Sequence, residues 1–199
     1  SIKANMIIPQ LAGNLTGSGN MENPSVCPVC GGATEIWDEE GTKTLHCVNP
    51  ECLAKHVKKF SHFVERDTLN IEGLSESGLL KLIGIGAVRE FADLFRLSRF
   101  KDDIVGMEGF GQKSFENLIA SAEKASHATP SHLLYGLGVP GIGVQNSNVM
   151  ARACRNKWSE MQGLDEAALT EIDGVGEVLA HDYASYFKDE ANAKAVADL

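Results

Sequence analysis

The chain has 199 residues, 43% hydrophobic and 23% charged, the balance of a soluble globular protein of one or two domains; fibrous and disordered classes are excluded. Its 27 acidic and 18 basic residues give a net charge of -9, which excludes a protein that coats DNA through lysine. No apolar run approaches the roughly 18 residues needed to cross a bilayer, and Ser1 to Gln10 lacks the order of a signal peptide, so a cytoplasmic chain without membrane attachment is expected.

In chain order, residues 1–26 hold the apolar run Met6-Ile7-Ile8, ended by Pro9, and then a stretch rich in Gly, Asn and Ser. This predicts one strand and a linker. A lone strand cannot close a sheet, so it either pairs within the chain or is the edge of a domain lying upstream.

Residues 27–66 form a cysteine-bearing module. Cys27-Pro-Val-Cys30 and, sixteen residues on, Cys47-Val-Asn-Pro-Glu-Cys52 have the spacing of two metal knuckles, since two to four intervening residues bring two sulfurs within one coordination sphere. Glu35 to Trp37 and Thr42 to Leu45 predict two strands about an Asp38–Gly41 turn. Four thiolates make a closed tetrahedral shell, hence a structural zinc with no position for a reacting water. His46 and His56 are near enough to be substitute ligands, but the four cysteines complete the set. Lys55, Lys58, Lys59 and Arg66 make a local basic stretch, which is either a solvated face or a contact for a nucleic-acid backbone.

From residue 67 to 199 the pattern is all-α, with a short motif repeated: apolar, any residue, Gly, apolar, Gly. It occurs as Met107-Glu108-Gly109-Phe110-Gly111, Val139-Pro140-Gly141-Ile142-Gly143 and Ile172-Asp173-Gly174-Val175-Gly176, with a weaker copy, Ile71-Glu72-Gly73-Leu74-Ser75. A repeat every 32 to 36 residues is itself informative. Each copy lies between a short helical pattern and a longer one, so the unit is helix, hairpin, helix. Two glycines are expected to hold backbone angles closed to other residues, and the apolar residue between them to plug the space between the helices. Bare amides at the start of the second helix then face outward, and with the helix dipole they form a site for a phosphate that needs no lysine and reads no base.

The copy at Gly109 and Gly111 is followed by Gln112 and Lys113, and that at Gly141 and Gly143 by Gln145 and Asn146, all able to donate to phosphate. The copy at Gly174 and Gly176 sits among Glu171, Asp173, Glu177 and Asp182, which makes it the poorest contributor, and at Gly73 the second glycine is Ser75. Gly84-Ile85-Gly86 is out of register and reads as a helix joint; Cys154 and the Phe91, Leu94, Phe95, Leu97 group read as packing. No catalytic set is visible. The charge is uneven: residues 1–158 carry a net -1, residues 99–158 a net +2, and the last 41 a net -8.

A four-cysteine zinc module followed by four helix-hairpin-helix units resembles the C-terminal part of bacterial NAD-dependent DNA ligases. Asn70-Ile71-Glu72-Gly73-Leu74, Ala92 to Leu97 and Gly109-Phe110-Gly111-Gln112-Lys113-Ser114 are similar to that family's phrasing. The resemblance implies that Ile7-Ile8-Pro9 is the last strand of an oligonucleotide-binding barrel, and that the zinc and hairpin parts clamp a nicked duplex as a monomer. In the full enzyme it implies NAD and magnesium, with AMP passed from a lysine to the 5'-phosphate of the nick. That lysine stands in Lys-x-Asp-Gly, which this sequence lacks, so the chain alone is expected to be inactive. Two rivals stand beside this reading: a stand-alone hairpin module of a repair nuclease or junction-binding protein, and a structural or protein-interaction domain.

Overall fold

Two antiparallel ribbons open the chain. In the first, β1 (Ile2–Lys3) pairs with β2 (Met6–Ile7), with Ile2 opposite Ile7. In the second, β3 (Thr34–Glu39) pairs with β4 (Thr42–Cys47), Thr34 opposite Cys47 and Glu39 opposite Thr42. The computed structural model describes residues 2–3, 6–7, 23–39 and 41–199, so the Gly- and Ser-rich linker and the Ile8-Pro9 end of the proposed barrel strand lie outside the described residues. Two units emerge, Ser1–Leu53 and Ala54–Leu199.

The second ribbon contains both predicted strands and extends them, since Asp38 and Glu39, expected in the turn, pair with Lys43 and Thr42. Its faces carry little that could form a core: Ile36, Trp37 and Leu45 are exposed, and among the described residues before Leu53 only Cys27 and Cys52 are buried. Trp37 and His46 stack diagonally across the strands with ring centroids 4.2 Å apart.

The helical unit begins with α1 (Leu53–Val64), whose Val57, Phe60, Phe63 and Val64 form a buried stripe. Residues 54–64 thus build the helical core, although the sequence grouped them with the cysteine module. Phe63 stacks on Phe91 at 4.1 Å, and Lys59 lies over the same ring at 4.8 Å. The basic stretch on this helix is also tied down by Lys58, which pairs with Glu76 at 2.5 Å, and by His62, which contacts the Tyr135 carbonyl at 2.8 Å.

Beyond α1 come α2 (Glu76–Gly84), two short 3-10 turns (Phe91–Phe95 and Leu97–Phe100), α3 (Lys101–Val105) and α4 (Gln112–Ala125). They are followed by α5 (Pro130–Gly136), α6 (Val144–Ala153), α7 (Trp158–Gln162), α8 (Glu166–Thr170), α9 (Glu177–Lys188) and α10 (Glu190–Ala197). Each hairpin motif falls between two of these helices, as its flanks predict. The Phe91 to Leu97 group is packing, as expected, but winds as 3-10 turns because Asp93 accepts the Arg89 and Glu90 amides and closes the chain tightly there. Gly84-Ile85-Gly86 ends α2, with Gly86 at φ +73°.

The last helices close on a buried Tyr183, whose hydroxyl donates to the Met161 carbonyl at 2.6 Å. Burial pushes that phenol well above the usual tyrosine range, so it stays neutral and a donor. Tyr183→Phe keeps the packing and removes one hydrogen bond to the Met161 carbonyl, which still accepts the Leu164 amide at 3.2 Å, and should cost about 0.5–1.5 kcal/mol in urea denaturation. Cys154 is buried too, and its thiol is raised by desolvation, consistent with a core residue. Among the described residues, no helix is long and apolar enough to cross a membrane.

Candidate metal centre and nucleic-acid interface

The two cysteine pairs converge because the ribbon folds them together. Cys27 and Cys30 lie on a tight turn closed by the Gly31 amide on the Cys27 carbonyl at 2.9 Å and the Cys27 amide on the Gly32 carbonyl at 2.7 Å. Cys47 ends β4, and its neighbour Val48 bonds the Ala33 carbonyl at 3.0 Å, which holds the end of the strand against that turn. Gly32 sits where a Cβ would stand 3.0 Å from Asn49 Cβ and 3.3 Å from Cys30 Sγ, so a side chain there would press on the knuckle.

All four sulfurs lie within 4.8 Å of one another, with Cys30 to Cys47 at 3.5 Å and Cys27 to Cys52 at 4.0 Å. A tetrahedron with metal–sulfur bonds of about 2.3 Å has edges of about 3.8 Å, so the cluster matches the dimensions of a four-thiolate site that could hold a metal ion. None of the five cysteines is in a disulfide. The Gly32 amide and the Asn49 side chain hold the Cys30 thiol down to about 6, and the Cys30 and Val29 amides lower Cys27. Desolvation pushes Cys47 up to about 12. Local amides therefore favour the thiolate at Cys27 and Cys30 while burial opposes it at Cys47, a cost that a bound cation would offset. His46 stacks on Trp37 and bonds Thr44 Oγ1 at 2.7 Å, and the four-ligand cluster is made by cysteines alone.

In the hairpins the two glycines differ. The first adopts a left-handed conformation in every copy: Gly73 at φ +91°, Gly109 at +87°, Gly141 at +71° and Gly174 at +87°. In three copies the next amide bonds back across the turn, Phe110 to Met107 at 3.0 Å, Ile142 to Val139 at 3.1 Å and Val175 to Ile172 at 3.0 Å. A positive φ before that bond is the mark of a type II turn, and it requires glycine.

The second glycine does not need such freedom. Gly111, Gly143 and Gly176 have φ of -132°, -92° and -83°, open to any residue, and each is the N-cap of the helix that follows. The expectation that both glycines hold closed angles is thus corrected. Ser75, at φ -92°, fits the same place without strain, and its side chain accepts the Gly78 amide. Around Gly143 and Gly176 a Cβ would meet nothing within 4 Å, and around Gly111 only Ser114 Oγ at 4.0 Å. The fold has no use for a missing side chain at these three exposed positions; what they keep clear is the approach from outside to the first amides of α4, α6 and α9.

The side chains beside these amides point in different directions. Lys113 and Gln145 are exposed; Gln112 donates to Glu116 at 2.5 Å, and half-buried Asn146 donates to the Gly141 carbonyl at 3.3 Å, bracing its own hairpin.

The hairpins also come in pairs. Phe110 of the second packs on α2, its ring 3.3 Å from where a Gly78 Cβ would be, and Lys81 of α2 donates to the Glu108 carbonyl at 2.5 Å. In the other pair, a Cβ on Gly141 would meet Leu179 at 3.2 Å and Asp182 Oδ2 at 3.9 Å, both on α9. Lys81 and Asp182 each stand six residues beyond the second motif position, Ser75 or Gly176, so equivalent sites carry opposite charges. Lys81 was missed by sequence reasoning, though the register of the repeat could have found it.

The family described as "Helix-hairpin-helix motif" matches residues 132–196, which hold the second pair. Over 99% of its length the chain is 47% identical to a DNA ligase of Ruminiclostridium cellulolyticum and 45% identical to one of Lachnoclostridium phytofermentans, and spans 30% of each. It is 33% identical to the DNA ligase of Bacillus subtilis, over the same shares of both chains. The chain is a homologue of bacterial DNA ligases and corresponds to about 30% of their length.

Proposed function

We propose that this chain is the duplex-gripping part of an NAD-dependent DNA ligase that seals nicks in replication and repair through a ligase-adenylate intermediate. Residues 1–26 are read as the end of an oligonucleotide-binding barrel with its linker, residues 27–66 as a zinc finger whose closing helix α1 lends its buried stripe to the helical core, and residues 67–199 as the helix-hairpin-helix domain. The observation that carries this reading is the bare second glycine, repeated at Gly111, Gly143 and Gly176 where neither backbone nor packing calls for it. A phosphate reaching such a helix start accepts hydrogen bonds from main-chain amides and meets the positive end of the helix dipole, contacts that a net charge of -9 does not weaken at the point of binding. The hairpins position a duplex by its backbone and leave the base sequence unread.

In the cysteine unit, Cys27, Cys30, Cys47 and Cys52 would hold one zinc ion, which supplies cross-linking and no reaction, because four thiolates fill its shell. No Lys-x-Asp-Gly is present, so no step of NAD or magnesium chemistry is assigned to these residues. The protein is expected to be a cytoplasmic monomer.

The test is titration of the 199-residue chain with a nicked duplex by fluorescence anisotropy across salt concentrations, together with zinc analysis and an assay for AMP transfer. Weak binding that steepens as salt falls, about one zinc per chain and no AMP transfer are expected. Absence of duplex binding at low salt would overturn the DNA reading, and AMP transfer by this chain would overturn the assignment of catalysis elsewhere. The pairing geometry adds a further expectation. Asp182→Asn should strengthen binding about two- to fivefold by removing a charge that repels phosphate near Gly141, and Lys81→Gln should weaken it by a similar factor.

A further inference from the structure

Three depressions line one side of the first hairpin pair and share residues. The first lies between the two hairpins, with Gly73, Lys81 and Gly109 on its walls. The second shares Gly73 and runs past Asn117 to Asn70 and Lys124. A third shares Asn70 and Lys124 and is lined by Arg66, His127 and His132 as well, with no acidic residue on its wall.

Some cations of the protein pair with a carboxylate: Lys58 with Glu76, Lys157 with Glu160, Lys188 and His181 with Glu166, and His62 with Glu65. The side chains of Arg66, Lys124, His127 and His132 are exposed and have no ion pair or hydrogen bond among the described residues, as is also true of Lys113 and Arg152; what sets the four apart is that they line one hollow with no acidic residue on its wall. Four donor-bearing side chains from three places in the chain are gathered around one hollow and left without partners. Such a hollow offers hydrogen-bond donors and positive charge to an anion and no carboxylate to repel it.

We propose that this hollow binds a backbone phosphate of the duplex and extends the footprint beyond the hairpins, along the track from Gly109 through Gly73 and Lys124. The proposal rests on the reading of the hairpins as a DNA grip. Arg66 suits the role as a planar donor able to take two phosphate oxygens, with Lys124 as a second charge and the imidazoles as short donors. It also gives the basic residue at the end of α1 a use that Lys58 and Lys59, engaged within the protein, do not have.

The test compares Arg66→Gln/Lys124→Gln with Lys188→Gln/Lys194→Gln, which removes the same charge from α9 and α10. Affinity for a nicked duplex is measured by anisotropy at several salt concentrations, and folding of each variant is checked by thermal melting. In the first variant the slope of log affinity against log salt should become shallower by about one, for the one phosphate no longer neutralised, while the second keeps the parent slope. The His127 and His132 ring resonances should shift when duplex is added to the parent chain. An unchanged slope in a folded Arg66→Gln/Lys124→Gln, or an equal change in both variants, would overturn the pocket while leaving the hairpin reading intact. Failure of the parent chain to bind any duplex would instead overturn the hairpin reading and the pocket with it.

Discussion

Gly111→Asp should make the protein slightly more stable and its hold on a duplex about ten- to hundredfold weaker, the energy of one or two charge-assisted hydrogen bonds. The signs differ because Gly111 serves two different demands. As N-cap of α4 at φ -132° it accepts any residue, and aspartate is among the best caps, contributing a few tenths of a kcal/mol over glycine and opposing the helix dipole favourably. The same carboxylate occupies the space in front of the first amides of α4 and puts a negative charge where a phosphate would come. Gly109→Val behaves differently: at φ +87° a branched side chain strains the turn, costing about 1–3 kcal/mol, and stability falls with binding. Thermal melting and anisotropy on both variants separate the two effects. Should Gly111→Asp bind nicked DNA as tightly as the parent, the bare glycine would have no part in recognition.

Cys30→Ser should release the metal and unfold the cysteine unit, while the helices from α1 onward keep their structure. Removing one thiolate of four opens the shell, and metal binding by such modules is worth on the order of 10 kcal/mol. The ribbon has no apolar core to fall back on, whereas α1 is anchored by Phe60 and Phe63 against Phe91. Hydrogen exchange read by mass spectrometry should show protection lost across Val26–Cys52 and kept from Val57 on. Loss of protection that ran through Phe63 would mean the helix depends on the metal; retention of zinc by the variant would mean the ligand set is wrong.

Much of this was legible in sequence. The Cys-x-x-Cys and Cys-x4-Cys spacings were enough to bring four sulfurs together, because short loops fix the sulfur separation whatever surrounds them. The starts of α4, α6 and α9 were readable from the Gly-apolar-Gly motif. What spacing could not reveal was which glycine the backbone needs, since φ at 109 and 111 depends on where the turn ends and the helix begins. Nor could it show that Lys81 reaches the hairpin at Glu108, 27 residues away, or that Arg66 meets Lys124 and His132 around one hollow. Those are tertiary meetings, set by how α2 packs on Phe110 and how the chain ends α1. For a similar reason spacing could not show which core α1 serves: the stripe Val57, Phe60, Phe63 and Val64 marks a buried helix face without saying whose core it joins.

The bareness of the cysteine unit also bears on how the chain responds to temperature. Heat capacity rises on unfolding in proportion to the apolar surface that meets water, and in this unit only Cys27 and Cys52 are sheltered among the described residues. Its melting should therefore contribute almost no heat-capacity step and a nearly straight dependence of stability on temperature, with no loss in the cold. The helical unit, with Phe63, Leu79, Leu94, Leu118 and Tyr183 enclosed, should show the curved profile of an ordinary hydrophobic core. One chain would then carry two thermometers: one set by free metal concentration, the other by water.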